Sequence, residues 1–247
     1  MFPSHDPKGI LGYLKQLEAK TFDEACEQSG FNFTAIKKDL YYRDNNFLIP
    51  DMVAIHNKDT DKYLATVGRN YGLVQYREMM NFTEVLVKQG EASYLYGTTI
   101  EGGKQAFLVM KTGDHLSFGD DSKISLYFYV ITSHDGRASL TVIPSPVNEA
   151  NNTLYLHPNI KALSFKHSKN VQFNINKARK ALGKVQVYWK EFKESFEMLR
   201  SVTMDNDRVE DYLNMILDNP KQLTRIENVR DRIKTIFITE PTLRFRS

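Results

Sequence analysis

Hydrophobic and polar positions alternate through the middle of the chain in a way that predicts an antiparallel β-meander. A strand places successive side chains on opposite faces, and four alternating runs of suitable length follow one another here. Gly102-Gly103 interrupts the first pair and His134-Asp135-Gly136-Arg137 the second, as tight turns would. The predicted strands are Tyr94–Ile100, Gln105–Lys111, Ile124–Thr132 and Ala138–Ile143.

The third of these runs separates its side chains into two kinds. One face is apolar and typical of a core: Ile124, Leu126, Phe128 and Val130. The opposite face carries Ser125, Tyr127 and Tyr129, and Tyr94 and Tyr96 from the first run could join it. We therefore predict one face packed on the core and one tyrosine-rich face.

The first third of the chain predicts two helices, a hairpin and a third helix. Apolar residues at helical spacing predict a helix over Pro7–Ala19, and Thr21 has the character of an N-cap for a second. Two extended runs, Met52–His56 and Tyr63–Val67, predict a hairpin. A further helix is expected to open near Gln75.

The last third predicts helices. A seam with alternating spacings of four and three residues predicts one long helix over about 168–202. Two shorter helices are expected near Arg208–Leu217 and Pro220–Ile236. The seam is a core stripe or an interface between protomers, which leaves a homo-oligomer open. The seam consists of Val171, Ile175, Ala178, Leu182, Val185, Trp189, Phe192, Phe196 and Leu199.

Together these elements predict an α+β fold. It is an antiparallel β-meander with N-terminal helices and a long C-terminal helix packed with further helices. No shift of composition marks a linker, so residues 1–247 are expected to form a single α+β domain.

Composition places the chain among ordinary globular proteins. Hydrophobic residues make up 41% and charged residues 26% of its 247 residues, so wholesale disorder is not expected. No apolar run approaches the roughly 18 residues that cross a bilayer, so no membrane association is expected. The single cysteine, Cys26, excludes an intrachain disulfide and suits a reducing cytoplasm.

Charge is distributed unevenly although the net charge is only +3. From Ala150 to Lys190 there is no acidic residue, whereas eight lysines and arginines occur there. We call these 41 residues the acid-free segment. Exposed helices usually interleave acids with bases, so a field of one sign indicates a polyanionic partner.

A nucleic acid is the partner that this field predicts. Cationic side chains along a helix neutralise phosphates and release counterions. Tyr127 and Tyr129 are candidate stacking groups for single-stranded bases, with a covered, core role as the alternative. The candidate phosphate contacts are Lys161, Lys166, His167, Lys169, Lys177, Arg179, Lys180 and Lys184.

Two other functions remain open. A metal-dependent nuclease would need clustered carboxylates, for which Asp114, Asp120, Asp121 and Asp135 are candidates. A structural or inhibitory protein could instead dock its basic stripe on an acidic partner.

Catalytic and cofactor motifs are lacking. Ser133-His134-Asp135 are adjacent in the chain, so their side chains diverge and predict a turn rather than a catalytic triad. The sequence has no P-loop, Rossmann fingerprint or metal-ligand spacing of histidines, so we expect no catalytic residue, metal or cofactor.

Several short motifs in a fixed order resemble the phage/plasmid-like proteins of the domain-of-unknown-function family DUF932. They include Gly68-Arg69-Asn70-Tyr71-Gly72-Leu73-Val74-Gln75, Gly102-Gly103, Ser133-His134-Asp135-Gly136, Asn152-Thr153-Leu154, Phe165-Lys166-His167-Ser168 and Ala178-Arg179. The resemblance covers about residues 30–235.

The resemblance implies a context rather than a reaction. It implies a phage or plasmid protein in a bacterial cytoplasm that supports DNA recombination or replication, which favours DNA over RNA as the partner, and it supplies no catalytic residue. Val147 and Ala150 stand where members usually carry arginine and cysteine. Members also usually continue further, so we expect a C-terminally shortened chain.

Overall fold

The computed structural model describes most of the chain at the level of individual residues. The described ranges are 14–118, 122–150, 153–154, 163–165, 187–199, 201–202, 205–217 and 223–239.

The chain divides into two compact units. The first is Met1–Trp189 and the second is Lys190–Ser247. The first contains every strand that the structure describes, and the second is helical.

The predicted meander forms the main sheet of the first unit. Its strand order is β4-β5-β6-β7-β8, with β9 pairing β7, and all pairs are antiparallel. The expected α+β class and both predicted turns are confirmed. The strands are β4 (Ala92–Ile100), β5 (Gln105–Phe118), β6 (Ser122–Ser133), β7 (Leu140–Asn148), β8 (Thr153–Leu154) and β9 (Leu163–Phe165).

A second, three-stranded sheet contains the predicted hairpin and one strand that the sequence pattern did not indicate. Its order is β1-β2-β3, with β1 (Ala35–Tyr41), β2 (Leu48–Asn57) and β3 (Tyr63–Gly68). The sequence pattern did not indicate β1, because charged side chains occupy its centre, at Lys37, Lys38 and Asp39. Pairing with β2 along its backbone, rather than apolar alternation, defines this strand.

Three short helices accompany the sheets: α1 (Phe22–Ser29), α2 (Tyr76–Met80) and α3 (Phe82–Lys88). Thr21 caps α1 as predicted, in a reciprocal capping box with Glu24. α2 contacts β6, where the Thr132 hydroxyl lies 3.0 Å from the Met79 sulfur. The helices therefore cover the apolar face of the main sheet.

The helix predicted over Pro7–Ala19 is wrong where the structure describes it. Residues 14–19 are not helical, and Gln16 forms an isolated β-bridge with Tyr96. The Leu17 amide donates to the Leu95 carbonyl at 2.9 Å. The apolar spacing is used to pack Leu17 against the sheet, and the edge of β4 supplies hydrogen-bond partners that a helix would otherwise supply internally.

The C-terminal helices follow the prediction closely. Residues 187–199 are helical and form α4, whereas residues 168–186 of the predicted long helix lie outside the described residues. α5 (Asn206–Ile216) and α6 (Leu223–Thr239) are joined by Glu210, which accepts from Lys234 and lies 3.4 Å from Arg230. No helix among the described residues is long and apolar enough to cross a membrane.

A close approach between α1 and β4 makes one glycine structurally necessary. A Cβ added to Gly97 would overlap the Ser29 hydroxyl and come within 3.0 Å of the Leu17 side chain. Gly97→Ala should therefore lower the free energy of unfolding by about 1–3 kcal/mol, which urea denaturation would measure. Gly113→Ala is the matched control, because nothing lies within 4 Å of its added Cβ. Equal stability of the two variants would contradict the packing of α1 on β4.

Candidate nucleic-acid interface

The predicted phosphate contacts lie outside the described residues, but the sheet holds two parts of the segment that carries them. The predicted phosphate contacts outside the described residues are Lys161, Lys166, His167, Lys169, Lys177, Arg179, Lys180 and Lys184. β8 pairs with β7 through Asn148↔Thr153, and β9 pairs with β7 through Leu140↔Phe165. Residues 153–154 and 163–165 of the acid-free segment are therefore part of the main sheet.

The tyrosine-rich face is part of the core rather than an open stacking surface. Tyr127 is only 6% exposed and clusters with Val109 and Val147, and Tyr129 and Tyr96 pack against this cluster. Burial raises the pKa of Tyr127 to about 12. A base cannot stack on a ring in this environment without displacing its neighbours, so the stacking role assigned to Tyr127 and Tyr129 is corrected in favour of the core alternative.

A β-bulge corrects the expected grouping of the four tyrosines. Tyr94 pairs with Met110 and Tyr96 with Val109, so Leu95 is an extra residue in β4. The bulge places Tyr94 on the helix-covered face, where its hydroxyl lies 3.3 Å from that of Thr83. Strict alternation along the sequence could not reveal this change of face.

A pocket lies beside a larger irregularity in β5. Lys111 pairs with Tyr127 and His115 with Ser125, so three residues of β5 stand opposite one residue of β6. The irregularity opens a cavity of about 390 Å³, which we call the bulge pocket. Its lining residues are Gly90, Ala92, Ser93, Lys111, Thr112, Gly113, His115, Lys123, Ser125 and Glu149.

The bulge pocket contains a hydrogen-bonded carboxylate between two lysines. Glu149 accepts from Lys111 Nζ at 2.7 Å and from the Ser125 hydroxyl, and its amide donates to the Lys123 carbonyl at 2.8 Å. Burial alone would raise the pKa of the Glu149 carboxyl, but the hydrogen bonds from Lys111 and Ser125 outweigh it and lower the pKa. Glu149 is therefore ionised and satisfied by its neighbours.

Sequence reasoning missed this pocket, although a signal was present. Lys123 and Ser125 share the face of Tyr127 by alternation, and Glu149 is the last acid before the acid-free segment. The tyrosine face thus changes from apolar to polar along β6. The spacing of the β5 irregularity, which creates the cavity, has no counterpart in the sequence pattern.

The carboxylates proposed for a nuclease are not brought together among the described residues. Asp114 accepts from the Trp189 indole at 2.6 Å, and Asp135 accepts from the Arg137 amide at 2.9 Å. Asp120 and Asp121 lie outside the described residues. No three histidine, cysteine or acidic side chains in the described part of the chain are arranged to hold a metal ion.

The short sequence motifs converge on a junction between the two sheets. Gln75 uses its side-chain amide to bond both the amide and the carbonyl of Ala35, at 2.8 and 3.0 Å. The Tyr71 hydroxyl donates to the Ser133 carbonyl at 3.2 Å. The motifs around residues 68–75 and 133–136 therefore fasten β1 to the main sheet.

A buried aromatic stack fills this junction. Tyr76 lies flat on the His134 ring, with centroids 3.9 Å apart, and donates its hydroxyl to the Gly103 carbonyl at 2.8 Å. Phe33 meets both rings edge-on. His134 and Tyr76 are each 1% exposed, so this arrangement stabilises the fold and offers no surface to a ligand.

Residues 63–243 match the family described as a domain of unknown function, DUF932. This match covers more than half of the chain. The chain belongs to this family. No curated protein and no solved structure matches it.

The DUF932 match begins with β3 and includes both the junction motifs and every bulge-pocket residue. It leaves out β1, β2 and the turn that joins them. The family description carries no activity, so the chemistry of this member is argued from its own residues.

The turn between β1 and β2 exposes an unusual concentration of large rings. All residues from 41 to 48 are exposed. Tyr41, Tyr42 and Phe47 are 56%, 57% and 67% exposed, and the Tyr42 amide donates to the Phe47 carbonyl at 2.8 Å across the turn. We call residues 41–48 the aromatic hairpin tip. Arg43, within it, forms no ion pair with a described residue.

The Lys111–Glu149 pair in the bulge pocket makes a pH-dependent prediction. Because folding lowers the Glu149 pKa from its ordinary 4.5, its stabilisation is present above pH 4.5 and is lost as the pH falls through the folded pKa. Glu149→Gln should lower the free energy of unfolding at neutral pH by up to about 1 kcal/mol, with the difference shrinking toward about pH 3.

Urea denaturation across this pH range measures the difference, with Glu91→Gln as the control on an exposed carboxylate. A loss of stability that stays constant down to about pH 3 would show that the charge of Glu149 is not what stabilises the pocket.

Proposed function

We propose that this DUF932 protein binds single-stranded DNA without catalysing a reaction, through the acid-free segment. The observation that carries the proposal is the complete segregation of charge: eight cationic residues and no acid over 41 residues. The proposal includes a phage or plasmid context in a bacterial cytoplasm, with single strands held during recombination or replication.

Electrostatics supports a nucleic acid as the partner. The remainder of the chain carries a net charge of −5, because the whole chain is +3 and the segment contributes +8. A chain that neutralises its cations internally would disperse acids among them. The positive charge is instead concentrated in one stretch of the sequence, as expected for contacts with successive phosphates.

The aromatic hairpin tip supports a single strand rather than a duplex. Exposed rings stack on unpaired bases, which a duplex keeps inside. Tyr42 and Phe47 are exposed, and a backbone hydrogen bond joins them across the turn. We therefore assign to them the stacking role that burial denies to Tyr127.

The nuclease and the acidic-partner hypotheses remain distinguishable from this proposal. A nuclease would cleave DNA in the presence of Mg²⁺, and an Asp114→Asn variant would lose that cleavage. A protein that docks an acidic partner would bind DNA weakly and without saturation.

A salt series tests the phosphate contacts. If about five cations meet phosphates, the slope of log K against log salt should be about −3.5 on single-stranded DNA. Replacing four lysines with glutamate should weaken binding strongly and reduce the slope by about 2.8. The variant is Lys166→Glu, Lys169→Glu, Lys180→Glu and Lys184→Glu, and fluorescence anisotropy measures both quantities.

The control carries the same change in charge at exposed lysines outside the segment: Lys20→Glu, Lys58→Glu, Lys62→Glu and Lys88→Glu. It should retain most of the slope, and both variants should melt like the wild type. Equal weakening by the two variants would attribute binding to net charge alone and would refute the segment as the interface.

Stacking on the hairpin tip makes a separate prediction. Tyr42→Ala and Phe47→Ala should each weaken binding of oligothymidine by roughly 5- to 150-fold, the range found for single base–ring stacks. The salt slope should stay unchanged, because a ring carries no charge. Tyr212→Ala, which removes a ring exposed to 50% elsewhere in the chain, should bind like the wild type. Wild-type affinity of both hairpin variants would remove the hairpin from the interface.

A further inference from the structure

The bulge pocket has the size and lining of a site for a small polar ligand. Its volume of about 390 Å³ falls in the range of small-molecule sites, which begins near 300 Å³. Hydroxyl groups of Ser93, Thr112 and Ser125 line it together with charged side chains. The β5 irregularity and Gly90 and Gly113 form part of its wall.

A cationic group of the bulge pocket, Lys123, remains available to a ligand after the Lys111–Glu149 ion pair has formed. Glu149 is the one carboxylate among the lining residues, and it is already bonded to Lys111 and Ser125. Lys123 and His115 also line the pocket, and neither forms an ion pair with a described residue. The pocket therefore presents the Lys123 ammonium and the His115 imidazole N–H beside the Ser93 hydroxyl, which suits an anion with several acceptor oxygens.

The pocket lies where the acid-free segment leaves the sheet. Glu149 lines the pocket, and the segment begins at the next residue. β8 then returns alongside β7, with Thr153 opposite Asn148. Ala150 and β8 of the acid-free segment therefore follow Glu149 of the pocket lining within five residues of the chain.

We infer that the bulge pocket binds a nucleotide phosphate, with Lys123 and His115 as its ligands and Lys111, held by Glu149, as a second ammonium group. This inference rests on the proposed function and specifies one point of contact on the same strand. The phosphate would accept from the Lys123 ammonium, the His115 imidazole N–H and the Ser93 hydroxyl. The Lys111–Glu149 pair would keep an ammonium group at the pocket wall.

Titration with thymidine 5′-monophosphate tests the inference directly. In the isotopically labelled full chain, the amide signals of Gly113, His115 and Lys123 should shift and saturate. Thymidine without a phosphate should cause no such shift, and inorganic phosphate should compete. Lys123→Gln should weaken the binding about tenfold, in keeping with loss of a charged hydrogen bond, whereas Lys123→Arg should retain it.

Lys88→Gln is the matched control, since Lys88 is exposed on α3, pairs with Glu84 and does not line the pocket. It should bind the nucleotide like the wild type. Equal nucleotide affinity of the wild type and Lys123→Gln, or a thymidine response equal to that of the nucleotide, would overturn the pocket as a phosphate site.

The same variants with oligothymidine separate this inference from the proposed function. If the wild type binds the oligonucleotide and Lys123→Gln leaves both affinities unchanged, the pocket inference fails and the proposed function stands. If the wild type binds the nucleotide through Lys123 but not the oligonucleotide, the pocket is supported and the proposed function fails.

Discussion

Burial of both faces of β6 is the constraint on which the first unit depends. On one side Ile124, Leu126, Phe128 and Val130 are buried, and on the other Tyr127 is buried with Val109 and Val147. A strand so enclosed leaves little of its own surface for a ligand. The proposed binding surfaces therefore lie where this packing ends, at the bulge pocket near the start of β6 and at the hairpin tip.

The junction between the two sheets explains why the recognisable sequence motifs are mainly structural. The polar side-chain groups of Tyr71 and Gln75 are hydrogen-bonded to backbone atoms of other elements. The Tyr76 hydroxyl donates to the Gly103 carbonyl. A buried carbonyl or amide without a partner costs about 1–3 kcal/mol. Residues that satisfy such groups are constrained in kind and spacing, which gives the DUF932 motifs their order without requiring a catalytic role.

The bulge pocket, the hairpin tip and the acid-free segment supply different contributions to one proposed interface. In this proposal the segment would contribute a long-range field and phosphate contacts, which weaken as salt rises. The hairpin tip would contribute ring surface whose stacking does not depend on charge. The pocket would contribute a local, shaped contact. A nucleic-acid strand is the partner that presents phosphates and bases together.

The sequence by itself determined the element types that depend on local pattern. The meander, its two turns, the Thr21 cap and the helices near residues 208 and 220 were all predicted, because alternation, turn residues and capping act within a few positions. It also determined the charge of the acid-free segment, which needs no coordinates. Family membership followed from short motifs whose order is visible in the chain.

Tertiary structure alone decided which surfaces are open. The extra residue Leu95 moves Tyr94 to the opposite face from Tyr96, and two extra residues in β5 open the bulge pocket. The apolar spacing around Leu17 fitted a helix but serves a segment bridged to β4. Each of these depends on pairing with a strand far away in the sequence. The alternation of side chains along one strand does not show where pairing with another strand leaves a residue unpaired.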